Sequence, residues 1–256
     1  MYAQGKQTLQ EVASVYQKSI PTLRKYFDLL ELSGEIKFTA EKYINLLFDA
    51  TFFGRSEGVL IFRANKKNLH WRFIENENLK EVCLGLDELD KQGYCYSSFT
   101  IDGRRGVIQL LEARYPGIPV QLCQFHQTQI IRRYLTCSPK TLCGRELKSI
   151  VSCITQTTQD VFQSLVETAH EKYSDFLKER NENKQFKHKQ LRSAFRSLKT
   201  NMPYLFTYKH FPELNMPNTT NSCDGSFAHW KQKVKIHRGL KKNRRNQMVD
   251  FLLKQS

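Results

Sequence analysis

Apolar positions near the start of the chain recur with the spacing of a helix. One side of the predicted helix carries Leu9, Val12, Ala13 and Tyr16. Ser19 is suited to cap a second helix, and Pro21 is tolerated in its first turn. Two helices joined by a polar turn are typical both of a helix-turn-helix and of an ordinary helical hairpin. In a helix-turn-helix, the second helix would present to a DNA groove the side chains of Thr22, Arg24 and Lys25.

Strand-like apolar runs occupy residues 44–53, 59–63 and 69–74, and short polar turns separate them. Such spacing predicts an antiparallel meander. Four further elements follow in the pattern: a helix over residues 78–92, a strand over 96–101, a helix over 104–115 and a strand over 120–126. The order βββαβαβ predicts an α/β fold whose mixed sheet has helices on both faces.

The rest of the chain is predicted to be mostly helical. Residues 127–215 carry helical apolar faces, which predicts an α-helical insertion. Thr219 or Thr220 is suited to cap a late helix that runs to about Lys235. The predicted organisation is a helical segment over 1–33, the first part of the α/β core over 40–126, the insertion over 127–215, and the last helix with a basic tail over 216–256.

The charge of the chain points to a polyanionic partner. Forty basic residues against 25 acidic ones give a net charge of +15. Nucleic acid is the default partner of such a protein, although charge can also serve solubility alone. The basic residues are concentrated near the C-terminus, with Asp250 as the opposing acid: Lys231, Lys233, Lys235, Arg238, Lys241, Lys242, Arg244, Arg245 and Lys254.

Cysteine usage and hydropathy indicate a cytoplasmic protein. The seven cysteines are scattered without a CxxC pair, which fits a reducing compartment rather than a disulfide framework. No apolar run approaches the ~18 residues of a membrane span, and the first residues lack the apolar core of a signal peptide. We therefore expect no membrane partner.

Three acidic residues are candidates for a metal site. Asp49 lies inside the first apolar strand, where a carboxylate needs compensation, and otherwise it would be a strand-end acid that caps a turn. Asp102 ends the fourth strand, and Asp224 falls in the first turns of the late helix, where the helix dipole alone also favours an acid. If the fourth strand lies parallel to the first and beside it, Asp49 and Asp102 converge. Three carboxylates suit Mg²⁺ or Mn²⁺, and two such ions ~3.5–4 Å apart serve phosphoryl displacement.

At these residues the chain resembles the Mutator-type transposases of bacterial insertion sequences, which have a ribonuclease H-like DDE core. The matching segments run in the family's order: Phe48–Arg55, Ile101-Asp102-Gly103-Arg104-Arg105-Gly106, Cys123–Gln127, and Asn218-Thr219-Thr220-Asn221-Ser222 through to His237–Leu240. The resemblance implies a ribonuclease H-like sheet with an α-helical insertion before the last catalytic helix. It also supports the helix-turn-helix, which would be incomplete here because the family has a fuller N-terminal region.

The resemblance implies a role for each acid. Asp49 matches the first catalytic acid and Asp102 the second, while Asp224 stands where the family has glutamate, in a segment that usually reads Asn-Ser-x-Glu-Gly. Aspartate is shorter by one methylene, and ~1 Å of misplacement can cost about a hundredfold in rate. Either the site tolerates Asp224, or this chain is catalytically weak.

The function implied is Mg²⁺-dependent cleavage and strand transfer at transposon ends, by a homo-oligomer on transposon-end and target double-stranded DNA in the bacterial nucleoid. The alternatives are an inactive DNA-binding regulator derived from a transposase and a structure-specific nuclease. The further residues expected to bind DNA are Arg104, Arg105, His126, Lys231, Lys235, Arg238, Lys241, Lys242, Arg244 and Arg245.

Cys123 and His126 match the Cys-x-x-His signature of the family. A zinc site needs about four ligands, which Cys137 and Cys143 would have to complete. The other interpretation is that His126 orients DNA or supports the site while Cys123 packs in the core. Trp230 is expected either to pack or to stack on a DNA base.

Overall fold

The computed structural model describes residues 7–29, 43–54, 57–237 and 239–255, except for the side chains of Arg105 and Asp224. The elements in chain order are α1 (Leu9–Tyr16), α2 (Ile20–Asp28), β1 (Tyr43–Phe52), β2 (Gly58–Ala64), β3 (Lys67–Ile74), α3 (Leu79–Lys91), β4 (Cys95–Ile101), α4 (Arg105–Arg114), β5 (Val120–Leu122), α5 (Gln124–Leu135), α6 (Leu142–Ser152), α7 (Gln159–Lys172), α8 (Ser174–Lys178), α9 (Lys189–Leu205), α10 (Thr207–His210), α11 (Asn221–Ile236) and α12 (Lys242–Lys254). Short 3₁₀ turns occur at Ile154–Gln156 and Pro212–Leu214.

The predicted mixed α/β class is confirmed. The described residues contain five strands that contribute to a mixed sheet, and the elements follow the predicted order βββαβαβ. The chain divides into two compact units, of which the second is Ser97–Thr220 and the first comprises the residues on either side of it. No helix among the described residues is long and apolar enough to cross a membrane.

The two N-terminal helices begin where the sequence predicts. Thr8 and Glu11 form a reciprocal capping box at the start of α1. Ser19 caps α2, because its hydroxyl accepts a hydrogen bond from the backbone N–H of Thr22 at 3.2 Å. The predicted apolar face is buried in part: Val12 is buried, whereas Tyr16 is 49% exposed. Residues 32–35, which their Leu-Ser-Gly-Glu sequence predicts to be a linker, lie outside the described residues.

In the first unit, β1, β2 and β3 form the predicted antiparallel meander. The register pairs Asp49 with Ile61 and Ile61 with Trp71, so these three residues share one face of the sheet. Helices α11 and α12 cover that face and contribute to a buried cluster that contains Leu47, Val59, Ile61, Trp71, Cys223, Phe227, Trp230, Val249 and Leu253. Trp230 is 2% exposed within this cluster, so it packs in the core.

The opposite face of the meander packs against α3. Phe62 of β2 lies under Gly85 so closely that a Cβ atom at position 85 would come within 2.1 Å of the ring. Glycine therefore permits the close approach of helix and strand. Arg72 of β3 forms a salt bridge with Glu81 of α3 at 3.0 Å.

Buried polar contacts fix α12 on β3. The indole N–H of Trp71 donates to the carboxylate of Asp250 at 2.8 Å, and the side-chain amide of Asn68 donates to the carbonyl of Leu253 at 3.0 Å. Asp250 also pairs with Lys254 at 2.7 Å. The acid that opposes the basic tail in the sequence is therefore a structural anchor of that tail.

The second unit contains most of β4, all of β5 and the region over residues 127–215, whose predicted helical content is confirmed. β4 and β5 pair in parallel through Ile101 and Leu122. Gln121 and Gln124 are fully buried, and both donate to the carbonyl of Leu205 at the end of α9, at 2.9 and 2.8 Å. These amides attach the end of α9 to β5 and α5.

The predicted extent of the fifth strand was wrong. β5 ends at Leu122, and α5 begins at Gln124 with Cys123 as its N-cap. The backbone N–H of Gln124 donates to the carbonyl of Asn218 at 3.0 Å instead of extending the strand ladder. The buried residues after it recur with helical spacing: Gln124, Gln127, Ile131 and Leu135. His126 therefore lies in the first turn of a helix.

His70 gives the first unit a dependence on pH. Burial, assisted by the nearby charge of Arg72, lowers the pKa of His70 to about 4. Because the pKa of histidine in an unfolded chain is ~6.5, the unfolded state binds more protons between pH 6.5 and 4, and stability falls as the pH drops through that window.

Because of His70, we expect the free energy of unfolding to be about 2 kcal/mol lower at pH 5 than at pH 7. The measurement is urea unfolding of the wild-type protein and of His70→Phe at both pH values. The carboxylates of the chain titrate in both proteins, so the difference between the two pH dependences reports His70. Identical losses in the two proteins would contradict the assignment.

Candidate functional site

Asp49 lies on the face of β1 that α11 and α12 cover. It is 7% exposed, and its carboxylate accepts a hydrogen bond from the backbone N–H of Ala50 at 2.8 Å. Leu47, two residues earlier on the same face, is part of the buried cluster with α11. The apolar strand thus holds the carboxylate in a fixed position beneath this helix layer.

The backbone of Asp224 lies in the first turns of α11, as predicted. Its side chain lies outside the described part of the chain. Cys223 and Phe227 are buried in the cluster that includes Leu47 and Ile61. The elements that carry the first and third predicted acids, β1 and α11, are therefore packed together in the first unit.

Arg63 attaches the start of α11 to the sheet, and sequence reasoning missed it. This arginine is 6% exposed on β2, and its register partner Leu47 places it on the same face as Asp49. Its guanidinium donates to the carbonyl of Ser222 at 2.8 Å and to the hydroxyl of Ser226 at 2.7 Å. These contacts lie on either side of position 224.

The other terminal nitrogen of the same guanidinium, Nη2, donates to the carbonyl of Lys66 at 2.7 Å. Burial lowers the pKa of Arg63, but an arginine remains charged in proteins. The signal that could have found it is a single arginine at the end of the apolar run Val59–Phe62.

Asp102 follows β4 in the second unit. It is half-buried, and its carboxylate accepts a hydrogen bond from the backbone N–H of Gly103 at 2.6 Å. Its carbonyl accepts from the N–H of Arg104 at 2.8 Å, and Arg104 is an exposed residue at the N-cap of α4. The turn after β4 thus fixes both the acid and the position of the neighbouring cation.

The Cys-x-x-His motif holds the segment before α11. The Cys123 thiol is buried and accepts hydrogen bonds from the N–H and hydroxyl of Thr220, at 3.2 and 3.4 Å. The hydroxyl of Thr220 also lies 3.3 Å from Nδ1 of His126. Asn218 donates to Gln124 at 3.0 Å. Within the second unit these contacts fix residue 220, the last one before α11 begins.

The predicted DNA-binding cations differ in their surroundings. Arg24 and Lys25 are exposed on α2, whereas Thr22 bonds to the capping hydroxyl of Ser19 at 2.8 Å. Lys231 and Lys235 of α11 are exposed and make no ion pair within the described ranges. Arg238 and the side chain of Arg105 fall outside those ranges.

The cations of α12 are engaged within the first unit. Arg244 forms a two-bond ion pair with Asp28 of α2 at 2.8 and 2.7 Å, and Arg244 thereby lowers the pKa of that carboxyl. Arg245 pairs with Glu57, and Lys242 lies 3.1 Å from Glu75. Lys241, at the N-cap of α12, is exposed.

The donors at the predicted acids suit a hard divalent cation. Asp49 and Asp102 offer carboxylate oxygens, the ligands that Mg²⁺ and Mn²⁺ prefer. The described side chains, which exclude Asp224, form no group of three or more His, Cys, Asp or Glu arranged to hold a metal ion. The same finding applies to the zinc site considered for Cys123 and His126, because no group of three or more such ligands occurs among the described side chains. In addition, burial raises the pKa of Cys143 to about 11, which disfavours the thiolate that zinc requires.

Comparison with known proteins gives a distant similarity to a solved structure. No protein-family model matches the sequence. No curated protein matches it. Among solved structures, the Drosophila P element transposase strand transfer complex is similar over 100% of this chain and 90% of that chain, with 9% sequence identity and a TM-score of 0.47. A similarity at this level concerns the fold at most and carries no functional conclusion for this chain.

Proposed function

We propose that the chain is a DNA transposase of an insertion sequence, with Asp49, Asp102 and Asp224 as its catalytic acids and Mg²⁺ or Mn²⁺ as cofactor. The observation that carries the proposal is the packing of α11 on the face of β1 that bears the buried Asp49. A carboxylate fixed beneath the helix that contains a second acid is the arrangement that a carboxylate metal site requires. The proposal also requires the carboxylate of Asp102 to bind the same metal ions as Asp49 and Asp224.

The reaction is a pair of phosphoryl displacements. Water attacks a phosphorus atom at the transposon end, the bond to the 3′ oxygen breaks, and that oxygen takes a proton and leaves as a 3′-hydroxyl. This hydroxyl then attacks a phosphorus atom of the target DNA, to which it becomes joined. The target's own bond from that phosphorus to its 3′ oxygen breaks, and the leaving oxygen takes up the proton that the attacking hydroxyl loses. The three acids would hold two divalent ions, which when bound stabilise the charge on the attacking and leaving oxygens. Arg63 would hold the start of α11 in place through Ser222 and Ser226.

The expected partners are transposon-end and target double-stranded DNA in the bacterial cytoplasm, bound by a homo-oligomer. The net charge of +15 supports a DNA partner. The exposed cations Arg24, Lys25, Arg104, Lys231 and Lys235 are the best placed of the predicted residues to contact phosphates. Lys242, Arg244 and Arg245 would have to exchange their ion pairs for DNA.

A second candidate is a DNA-binding regulator without catalysis. The observation that favours it is Asp224, one methylene shorter than the glutamate that the resemblance leads us to expect. Such a protein would occupy transposon ends and block an active transposase. A structure-specific nuclease is a third possibility, and it differs in producing cuts without joining them to target DNA.

The decisive experiment is a cleavage and joining assay with Mg²⁺ on a labelled duplex that carries the ends of the encoding element. A transposase releases a 3′-hydroxyl at the transposon end and joins it to a target plasmid. If the short side chain limits the rate, Asp224→Glu raises that activity. Binding without any cleavage in either protein would establish the regulator, and cleavage without joining or preference for the ends would establish the nuclease.

A further inference from the structure

A pocket of about 320 Å³ opens in the first unit where β1 ends. One wall is formed by the last residues of β1 and the residue after it, and the other by the end of α11, the following turn and the start of α12. The residues that matter for its chemistry are Phe52, Phe53, Lys231, Lys235, His237 and Arg245. It therefore combines aromatic rings with a concentration of cationic and polar nitrogen groups.

The two lysines give the pocket its available charge. Lys231 and Lys235 are four residues apart on α11, so they lie one above the other on the helix surface. Both are exposed, and neither forms an ion pair in the part of the chain that the structure describes. By contrast, Arg245 at the same pocket is paired with Glu57. The lysines are thus the cations that a ligand phosphate would meet.

Phe53 gives the pocket its aromatic surface on the side of α11. Phe52 and Phe53 are both half-buried. Phe53 packs on one side against the buried cluster beneath α11, which fixes its position. Half-buried rings beside unpaired lysines are the combination that binds single-stranded nucleic acid, because the bases stack on the rings while the cations follow the backbone.

The two walls of the pocket include residues of β1 and α11, the elements that also carry Asp49 and Asp224. Phe52 follows Asp49 by three residues on β1, about 10 Å along a strand. Lys231 follows Asp224 by seven residues on α11, also about 10 Å along a helix. A DNA strand that runs along β1 and α11 would therefore pass the position of both acids before it reaches the pocket.

We propose that this pocket binds one unpaired nucleotide of a DNA strand, with its base against Phe53 and its phosphate between Lys231 and Lys235. The volume is of the size of a single nucleotide. The inference rests on the proposed function for the identity of the ligand, and it adds that the strand at the cleavage site is unpaired where it passes the end of β1.

The test measures the binding of a fluorescein-labelled oligothymidylate, and of the same strand paired in a duplex, by anisotropy in buffer with a metal chelator. We expect Lys231→Ala/Lys235→Ala to raise the Kd for the single strand about tenfold and the Kd for the duplex about threefold or less. The matched control is Arg196→Ala/Lys199→Ala on α9, which removes the same charge from exposed positions in the second unit. It should weaken both ligands equally and by about threefold or less.

A second variant separates stacking from charge. Phe53→Leu keeps an apolar side chain against the cluster, and we expect it to raise the single-strand Kd about fivefold while leaving the duplex Kd unchanged. Thermal unfolding checks that the variant is folded. Equal weakening of both ligands by the lysine variant, or a wild-type protein that does not bind the single strand, would overturn the proposal. Since no metal is present, the result is independent of whether the protein cleaves DNA.

Discussion

Asp49→Asn should lower Mg²⁺-dependent cleavage of transposon-end DNA by about a thousandfold or more, because a metal ligand contributes several kcal/mol to the stabilisation of the transition state. Asparagine has nearly the same shape and retains an oxygen that can accept the hydrogen bond from Ala50. The loss would therefore be one of charge and not of packing. The measurement is single-turnover cleavage under saturating protein.

The affinity of Asp49→Asn for DNA should stay within about twofold of wild type. Asp49 is buried on β1, so its substitution removes no phosphate contact. Asp102→Asn should behave in the same way, although Asp102 belongs to the other unit. The control is Asp175→Asn on α8, whose carboxylate is fully exposed and pairs weakly with Lys178 at 3.8 Å. Wild-type cleavage by Asp49→Asn would exclude Asp49 as a catalytic acid.

The parts of the fold that depend on local periodicity could be predicted from the sequence. The apolar runs of β2 and β3 and the short turns between the strands predict the meander, and the structure buries β2 along its whole length. Ser19 and Pro21 mark the start of α2 through local capping chemistry. For Trp230 the sequence allowed packing or stacking on a base, and the large apolar surface of its ring is buried in the core.

The parts that depend on distant partners could not be predicted. Residues 123–126 have the composition of a strand, and what turns them into a helix includes a bond from Gln124 to Asn218, far along the chain. The partners of the basic tail could not be predicted either, because its pattern alone indicates one continuous DNA-binding surface. Arg244 and Arg245 are instead paired with Asp28 and Glu57, which are distant in sequence.

The candidate site shows the same division. Asp49, Asp102 and Asp224 can be selected from the sequence because an acid at the end of an apolar strand or in a first helical turn is conspicuous. Whether Asp49 faces α11 depends on the register with Ile61, which the tertiary fold sets. The role of Arg63 could not be inferred either, because its partners Ser222 and Ser226 lie on an element at the far end of the chain.

Arg63→Lys should lower the cleavage rate about a hundredfold while leaving the Kd for DNA unchanged. A lysine ammonium is a point charge on a flexible stem, and it cannot reach the carbonyls of Ser222 and Lys66 and the hydroxyl of Ser226 together, as the planar guanidinium does. The first turn of α11 would then shift, and ~1 Å of displacement at a catalytic group can cost about a hundredfold. The measurement is the single-turnover rate beside the binding affinity.

The matched control is Arg72→Lys on β3, which makes the same substitution on the opposite face of the meander, where Arg72 pairs with Glu81 of α3. We expect this control to change cleavage by about twofold or less, because a partly exposed ion pair contributes ~1 kcal/mol or less to stability. Urea unfolding of both variants separates a local shift from a general loss of stability. If Arg63→Lys slows cleavage no more than Arg72→Lys does, then the position of α11 does not depend on Arg63, and the catalytic role proposed for that helix loses its structural support.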